Sequence, residues 1–497
     1  MGYHGCMNFE KLLSWNGSRT DSSGTSLPAP TVYFIGIKGT GMCALAELLH
    51  NSGFNISGSD RDEVFYTDGI LKELGVPYYE SFAPEHIPQD AVLVIRSAAY
   101  SRDSNSEIAE AEKRGIPVLK YTEALGAYSA LFDSSGIAGV HGKTTTTAIA
   151  GTLIRAAGLP ARILAGSAVN GFGGRSTLSL GNKYFVAETC EYRRHFLSFH
   201  PRRIVLTSVE SDHQDYYPTY ESIRNAFIEY AKLLPINGEL IYCADDPGAT
   251  EVANSVNKGI VKLIPYGVHA KGDFKIVSLQ TGEERTTLRI AGFPGELKLR
   301  LPGRHIALDA VAALALTDSL VKAEYGGWTG EKREAVRQAL EDFRGSRRRQ
   351  EILGEAGGIL FMDDYGHHPT AIRTTLEGLR EFYPKRRIVL SFMSHTYTRT
   401  AALLDQFAAS FKTANQVVLH KIYGSAREVV SSEVTGRTLF EKTKELQDGV
   451  YYIEEPVGAA DLLKGILKPG DLFLTMGAGD NWKLGRVLFD YYQDTAQ

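Results

Sequence analysis

The sequence predicts an α/β protein of three domains, each built around a parallel sheet, and three observations carry that expectation. Short β-branched runs alternate with helical patterns along most of the chain. Two glycine-rich turns stand where strand character passes into helix. The strand–helix rhythm also restarts after a basic stretch at 343–351, "FRGSRRRQE". At roughly 150 residues per domain, a chain of 497 residues has room for about three such units.

Taken in order, the tract at 16–30, "NGSRTDSSGTSLPAP", is rich in Ser, Gly and Pro and closes a flexible extension expected over 1–30. The first folded unit follows over 31–130, with strands at 32–35 and 91–95. A second is expected over 131–345, with strands at 184–186 and 204–206. The third, over 346–497, alternates "ILFMDDY", "TAIRTTLEGLREFY", "RRIVLSF", "TRTAALLDQFAASFKTA", "QVVLH" and "DLFLTMG". Against 54 Lys+Arg stand 58 Asp+Glu, a net charge of -4, which gives no electrostatic footprint for nucleic acid or an anionic membrane. No run is long enough for a membrane span and the start lacks the apolar core of a secretion signal, so a cytoplasmic chain is expected, as a monomer or weak homodimer. Cys6, Cys43, Cys190 and Cys243 are far apart and form no CxxC, so neither a disulfide framework nor a zinc ribbon is indicated. They read as small buried hydrophobes.

The chemistry begins at 135–154, "SGIAGVHGKTTTTAIAGTLI". The first N–H groups of a helix have no partners inside it and the helix dipole adds positive potential, so a strand–glycine–helix junction binds phosphate. Gly139 and Gly142 let the backbone curl around phosphate oxygens, Lys143 reaches the terminal phosphates, and the Thr144 hydroxyl can ligate Mg²⁺. This describes an ATP site, although Ile137 stands where the strict motif has its first glycine. The alternative is a threonine-rich helix start with an incidental lysine. An earlier turn, "GIKGTGM", places Gly36, Gly39 and Gly41 after a strand, and Asp60 ends the next strand about 20 residues on, as in a dinucleotide fingerprint. An ATP lysine has no place in a simple dehydrogenase, so a nucleotide-linked substrate in the first domain reconciles the two turns. Glu188 and His213 end strands that could face the phosphate loop, and "DDYGHHPTAI" and "SHTYTRT" bring further polar groups to strand ends in the last domain.

Together these motifs resemble the Mur ligase family, most closely its alanine-adding branch. The resemblance covers about 31–490 and rests on "GIKGTGM", "GVHGKTTTT", Glu188, "DHQDYY", "LPGRH", "DDYGHHPT", "HTYTRT" and "LTMGAGDNWKLG", in the family's order. It implies a Rossmann-like N-terminal domain for a UDP-sugar, a central P-loop ATPase-type domain for ATP, and a Rossmann-like C-terminal domain for the amino acid. The implied reaction joins the lactyl carboxylate of UDP-N-acetylmuramic acid to L-alanine through an acyl phosphate, with ATP and Mg²⁺. Lys143 is then assigned to the β/γ-phosphates, Thr144 and Glu188 to one Mg²⁺, and His213 to a second. Gly139, His141, Gly142, Thr145, His305, Arg348 and Asp364 complete the nucleotide set. Gly36, Gly39, Thr40, Gly41, Asp60 and Ser97 would line the UDP-sugar site, and Tyr365, His367, His395 and Arg399 would hold the amino acid, with Arg399 clamping its carboxylate.

The chain departs from the family pattern at several points. "GRHIALD" has Ile306 and Asp309 where the family reads asparagine, Arg193 stands where an aspartate is common, and Thr396 stands where alanine-adding members often have a second arginine. An ungapped count puts Ile228 at the family's carbamylated lysine, with Lys232 nearby. Two other readings stay open: a recycling ligase that attaches a tripeptide to the same UDP-sugar, and a non-catalytic nucleotide-binding regulator.

Overall fold

A computed structural model of the chain describes residues 28–257, 259–424 and 434–495. Nearly all of the expected N-terminal extension, with Cys6, lies outside the described residues. From Thr31 the chain builds a five-stranded, all-parallel sheet from β1 (Thr31–Ile35), β2 (Asn55–Ser59), β3 (Tyr78–Tyr79), β4 (Ala91–Arg96) and β5 (Val118–Lys120), in the order β3-β2-β1-β4-β5. All five residues of β1 are buried, which is what a central strand covered on both faces requires. The connection from β1 turns through Gly36 into the helix Thr40–His50, at the point where strand order reverses and open α/β sheets bind ligands.

The next sheet comprises β6 (Asp133–Ala138), β7 (Ala161–Val169), β8 (Arg175–Ser179), β9 (Tyr184–Glu188), β10 (Arg203–Leu206), β11 (Glu239–Cys243) and β12 (Lys262–Tyr266), ordered β12-β11-β10-β6-β9-β7-β8. Its strands are parallel except β8, which runs against β7 at the edge. The phosphate loop thus leaves the central strand β6, with β9 and β10 on either side. Three strands that sequence reading did not anticipate, β13 (Ile276–Gly282), β14 (Arg285–Ile290) and β15 (Phe293–Leu299), form an antiparallel meander. The last sheet holds β16 (Glu351–Ala356), β17 (Ile359–Asp364), β18 (Arg387–Met393), β19 (Gln416–Leu419), β20 (Val450–Tyr452) and β21 (Asp471–Gly477), ordered β16-β17-β21-β18-β19-β20, with β16 alone antiparallel.

The cores divide unevenly. One continuous apolar cluster runs from Val32 and Leu45 in the first sheet's layers to Ile137, Leu314 and Val336 in the central ones. The C-terminal sheet keeps separate clusters on its two faces, around Leu376 and Phe407 on one and Phe361 and Leu488 on the other. The first and central units are also pinned by buried polar groups. Glu47 accepts from Thr177 Oγ1 at 2.5 Å and pairs with Arg175, which in turn reaches Glu73. The basic stretch at 343–351 is packed: Ser346 and Gln350 are buried, and Arg347 N donates to Ala168 O at 2.8 Å. Among the described residues no helix is long and apolar enough to cross a membrane.

Candidate functional site

β6 ends at Ala138, and the loop that follows needs glycine twice. Gly139 has φ +141 and a Cβ there would meet Thr207 Oγ1; Gly142 has φ +80 and a Cβ there would meet Asp309 Oδ1. Only glycine takes both the angle and the space. The turn delivers Lys143 and Thr144 to the first turn of the helix Lys143–Ala156, with Thr145 buried beside them. Lys143 Nζ donates to Gly139 O and to Glu191 Oε2 at 2.8 Å. Although burial works against its charge, the carboxylates of Glu191 and Glu188 hold the Lys143 ammonium above its usual range. Thr144 Oγ1 donates to Glu188 Oε2 at 2.8 Å, because β9 pairs with β6 in a register that sets Glu188 beside Ile137. A hydroxyl and a carboxylate are thereby side by side at the mouth of the loop, an oxygen pair that suits Mg²⁺.

His213 reaches the same place by a strained route, with φ +53, and its Nε2 lies 3.2 Å from Glu191 Oε1. Glu191, absent from the sequence-based site, is therefore the group that joins Lys143 to His213. Burial pushes its carboxyl up, but Lys143 and then His213 bring it below the ordinary value. Asp309 fills the space under Gly142, where its Oδ1 accepts from Thr146 Oγ1 at 3.0 Å. Burial pushes its carboxyl up to about 8, against lowering by Thr146 and Arg349.

A cavity of about 340 Å³ runs from the first-domain turn to this strand end, lined by Gly39, Thr40, Gly41, Ser97, Glu188 and Cys190 among others. Cys190 is exposed, contrary to the buried role expected for it, because it lies just beyond the end of β9 at this cavity; Cys43 and Cys243 are buried. Gly36 has φ +86 and packs against Ser97 and Tyr100. Asp60 is buried, its Oδ2 accepting from Lys38 N at 2.8 Å and its Oδ1 from Tyr100 Oη at 3.3 Å, so it ties the glycine turn down.

In the C-terminal unit, Tyr365, His367 and His395 form a column of edge-on rings, with centroids 5.1 and 5.4 Å apart. His367 Nδ1 donates to Tyr365 O at 2.9 Å. Burial, then Arg399 and His395, hold its imidazole well below the ordinary range, so the neutral ring turns an Nε2 lone pair outward from that bond. Arg399, expected to clamp the amino-acid carboxylate, is engaged on one edge: its Nε and Nη2 donate to Asp212 Oδ1 at 2.9 and 2.7 Å, joining the C-terminal unit to the loop after β10. Its Nη1 faces His395. The segment enters through Thr396 at φ +67, an unusual angle for a β-branched residue.

Three residues expected at the nucleotide make contacts within the protein. Arg348 donates to Asp363 Oδ2 and to the carbonyls of Gly479 and Gly477, and its guanidinium covers the Tyr365 ring. Asp364 accepts from Gln350 N and Gly366 N, and burial pushes its carboxyl up. His305, lowered to about 4 by burial and by His141, meets Gln350 Nε2 at 3.0 Å across the domain boundary. His141, the phosphate-loop histidine, contacts Glu210, whose other oxygen accepts from Thr370 Oγ1 at 3.1 Å. Glu210 and Asp212 both precede the recognised histidine in "VESDHQD", and acids spaced by two in the loop after β10 were the signal that could have found them. Lys232 is exposed at the end of the helix Tyr220–Ala231.

Three family models match in succession: the Mur ligase family catalytic domain over 31–133, the Mur ligase middle domain over 137–317, and the Mur ligase glutamate ligase domain over 348–479. A UDP-N-acetylmuramate–L-alanine ligase of Treponema pallidum is 53% identical over 465 residues, 93% of this chain and 97% of the relative. The crystal structure of a UDP-N-acetylmuramate-alanine ligase from Thermotoga maritima superposes with TM-score 0.76 at 25% identity, covering 94% of this chain and 99% of that one. A murein peptide ligase from Psychrobacter arcticus shares the fold, with TM-score 0.64 at 22% identity over 94% and 99% of the two chains. With three family models matched in succession and a relative 53% identical over 93% of this sequence, the chain belongs to the Mur ligase family.

Proposed function

We propose that the chain joins L-alanine to the lactyl carboxylate of UDP-N-acetylmuramic acid in the cytoplasm, converting ATP to ADP and phosphate, as a step of peptidoglycan synthesis. The observation that carries this reading is the continuous cavity from the first-domain glycine turn to Glu188, beside Lys143 and Thr144. It would bring a carboxylate tethered to a nucleotide in the first domain up to phosphates held by the second. The likeness to the alanine ligases of Treponema pallidum and Thermotoga maritima supports the same choice.

A carboxylate cannot accept an amine directly, because its leaving group would be oxide. Its oxygen therefore attacks the γ-phosphorus, ADP leaves, and an acyl phosphate forms. The alanine amine then attacks the acyl carbon, and phosphate departs from the tetrahedral intermediate as the amide forms. Catalysis of this kind is mostly alignment and charge neutralisation. Lys143 exchanges Glu191 and the loop carbonyls for the β/γ-phosphates. Thr144 and Glu188 would hold one Mg²⁺ and His213 a second, and the bound cations would neutralise phosphate charge. Neutral His367, kept a weak base by burial and by Arg399, accepts a hydrogen bond from the alanine nitrogen and orients it, and the proton lost on attack leaves with the departing phosphate. Arg399, held on one edge by Asp212, offers Nη1 to the alanine carboxylate beside His395 and Tyr365. Phosphate release measured with ATP, Mg²⁺ and UDP-N-acetylmuramic acid across a panel of amino acids tests the reading: alanine should exceed serine and glycine, since a small pocket separates one methylene by only about 1–3 kcal/mol. Greater release with the tripeptide than with alanine would assign the chain to the recycling reaction.

A further inference from the structure

Among the described residues, one cluster of metal-ligating side chains lies outside the site assigned to Mg²⁺. His141 comes from the phosphate loop, Glu210 from the loop after β10, and His368 from the N-cap of the helix Pro369–Phe382 in the C-terminal unit. One donor atom of each lies within 4.8 Å of the other two. His368 Nε2 is buried without a hydrogen-bond partner, and His141 Nε2 is in close contact with Glu210 Oε1. His368 Nδ1 lies 3.8 Å from the same carboxylate oxygen. The rings stand 5.1 Å apart between centroids.

Each donor is oriented by the surrounding fold, His368 by Thr370 N, which donates to its Nδ1 at 3.3 Å and leaves Nε2 as the ligand atom. Backbone N–H of His141 donates to Ser208 Oγ at 2.9 Å, and Thr370 Oγ1 donates to Glu210 Oε2 at 3.1 Å. The Glu210 loop is itself anchored where Asp246 Oδ1 accepts from Val209 N at 3.0 Å. Supporting hydrogen bonds of this kind fix ligand orientation at metal centres. We propose that His141, Glu210 and His368 form a binding site for a divalent transition cation of the Zn²⁺ class, which staples the phosphate loop to the C-terminal domain.

Two imidazoles and one carboxylate are a donor set found at tetrahedral zinc sites that keep a fourth position open. With two imidazoles in place of the single His213 expected at the phosphate site, the cluster favours a transition cation over Mg²⁺, which prefers oxygen ligands. Bonds of about 2.0–2.1 Å place tetrahedral ligands about 3.3 Å apart, so no pair of donors within 4.8 Å need close by more than about 1.5 Å on binding. Because the three donors come from both sides of a domain boundary, the bound cation opposes separation of the two domains. Resting on the ligase reading, this predicts that the cation slows turnover wherever product release requires opening.

The test uses the full ligand-free chain, titrated with Co²⁺ or Zn²⁺ in excess Mg²⁺ and followed by Co²⁺ absorption and calorimetry. A 1:1 complex with tetrahedral Co²⁺ absorption is expected. Glu210→Gln and His368→Asn should each weaken it at least 10-fold, whereas Glu188→Gln should retain it. X-ray absorption of the wild-type Zn²⁺ complex adds a readout that needs no variant, with two imidazoles in the expected shell. Absence of a 1:1 complex, a shell containing sulfur or oxygen alone, or binding unchanged in both variants would overturn the proposal. The metal result stands whether or not the chain ligates alanine, so the two readings fail separately.

Discussion

Asp309 shows how much one residue can change at the phosphate loop. Where the family reads asparagine, the chain places a carboxyl under Gly142 and beside Thr146. Its pKa is pushed up to about 8 by burial, so near neutral pH it is mostly uncharged and nearly isosteric with asparagine. The sign follows from its raised value: an unfolded aspartate ionises near about 4 while the folded one keeps its proton, so stability falls as pH rises between these values, by about 1.4 kcal/mol per unit. Asp309→Asn should therefore raise Tm by several degrees at pH 7–8 and by much less near pH 4, which thermal scans at both values check. Above pH about 8 the wild-type carboxylate charges beneath the bound phosphates, so its KM for ATP should climb while that of the asparagine variant stays flat. Lys143→Ala probes the same loop from above. Losing one such contact commonly costs about 10²–10³ in rate, and kcat should fall by that much while calorimetry finds UDP-sugar binding in the first domain retained. Parental turnover would remove Lys143 from the phosphates.

At the scale of elements, the strands β1, β4, β9, β10, β17, β18, β19 and β21 were legible, because buried parallel strands read as β-branched or apolar runs. Both glycine turns were legible for the same physical reason that makes them work, the need for positive φ at Gly36 and Gly142. The meander β13–β15 was missed, since its signal is alternation: Thr286, Leu288 and Ile290 are buried while their neighbours are more exposed. The segment expected as one helix near 398–414 is broken at Leu403, where φ is -120, into Tyr397–Ala402 and Leu404–Ser410, and apolar spacing gave no warning. In the site, sequence reading named His213 and Arg399 but could not see Glu191 or Asp212, because partners meet only once β6, β9 and β10 are side by side. The helix Thr40–His50 carries its own test. Glu47→Ala leaves Arg175 and Thr177 without their buried acceptor, a loss of about 1–3 kcal/mol that should appear as a lower Tm, with Glu47→Gln intermediate.

For the whole molecule, the division of cores decides where motion belongs. The first and central units share one apolar cluster, whereas the C-terminal unit meets them through polar contacts: Asp212 with Arg399, His305 with Gln350, and Glu210 with Thr370. Polar boundaries of this kind separate more readily than apolar ones, so opening should occur near 343–351. Small-angle scattering should show Arg399→Ala more expanded than wild type without ligands, and wild type compacting when ATP analogue, UDP-sugar and alanine are added. A radius unchanged in every condition would contradict this division. Arg399→Ala should also raise the KM for alanine far more than that for ATP, since it loses both the latch and the carboxylate contact. The central claim is that activation at the phosphate loop is delivered to alanine on a UDP-linked acid. Its most direct measurement is mass spectrometry of products from ATP, Mg²⁺, UDP-N-acetylmuramic acid and an equimolar mixture of amino acids and tripeptide. The account predicts UDP-N-acetylmuramoyl-L-alanine as the main product, lost in Lys143→Ala; a main product carrying the tripeptide, or none beyond ADP, would contradict it.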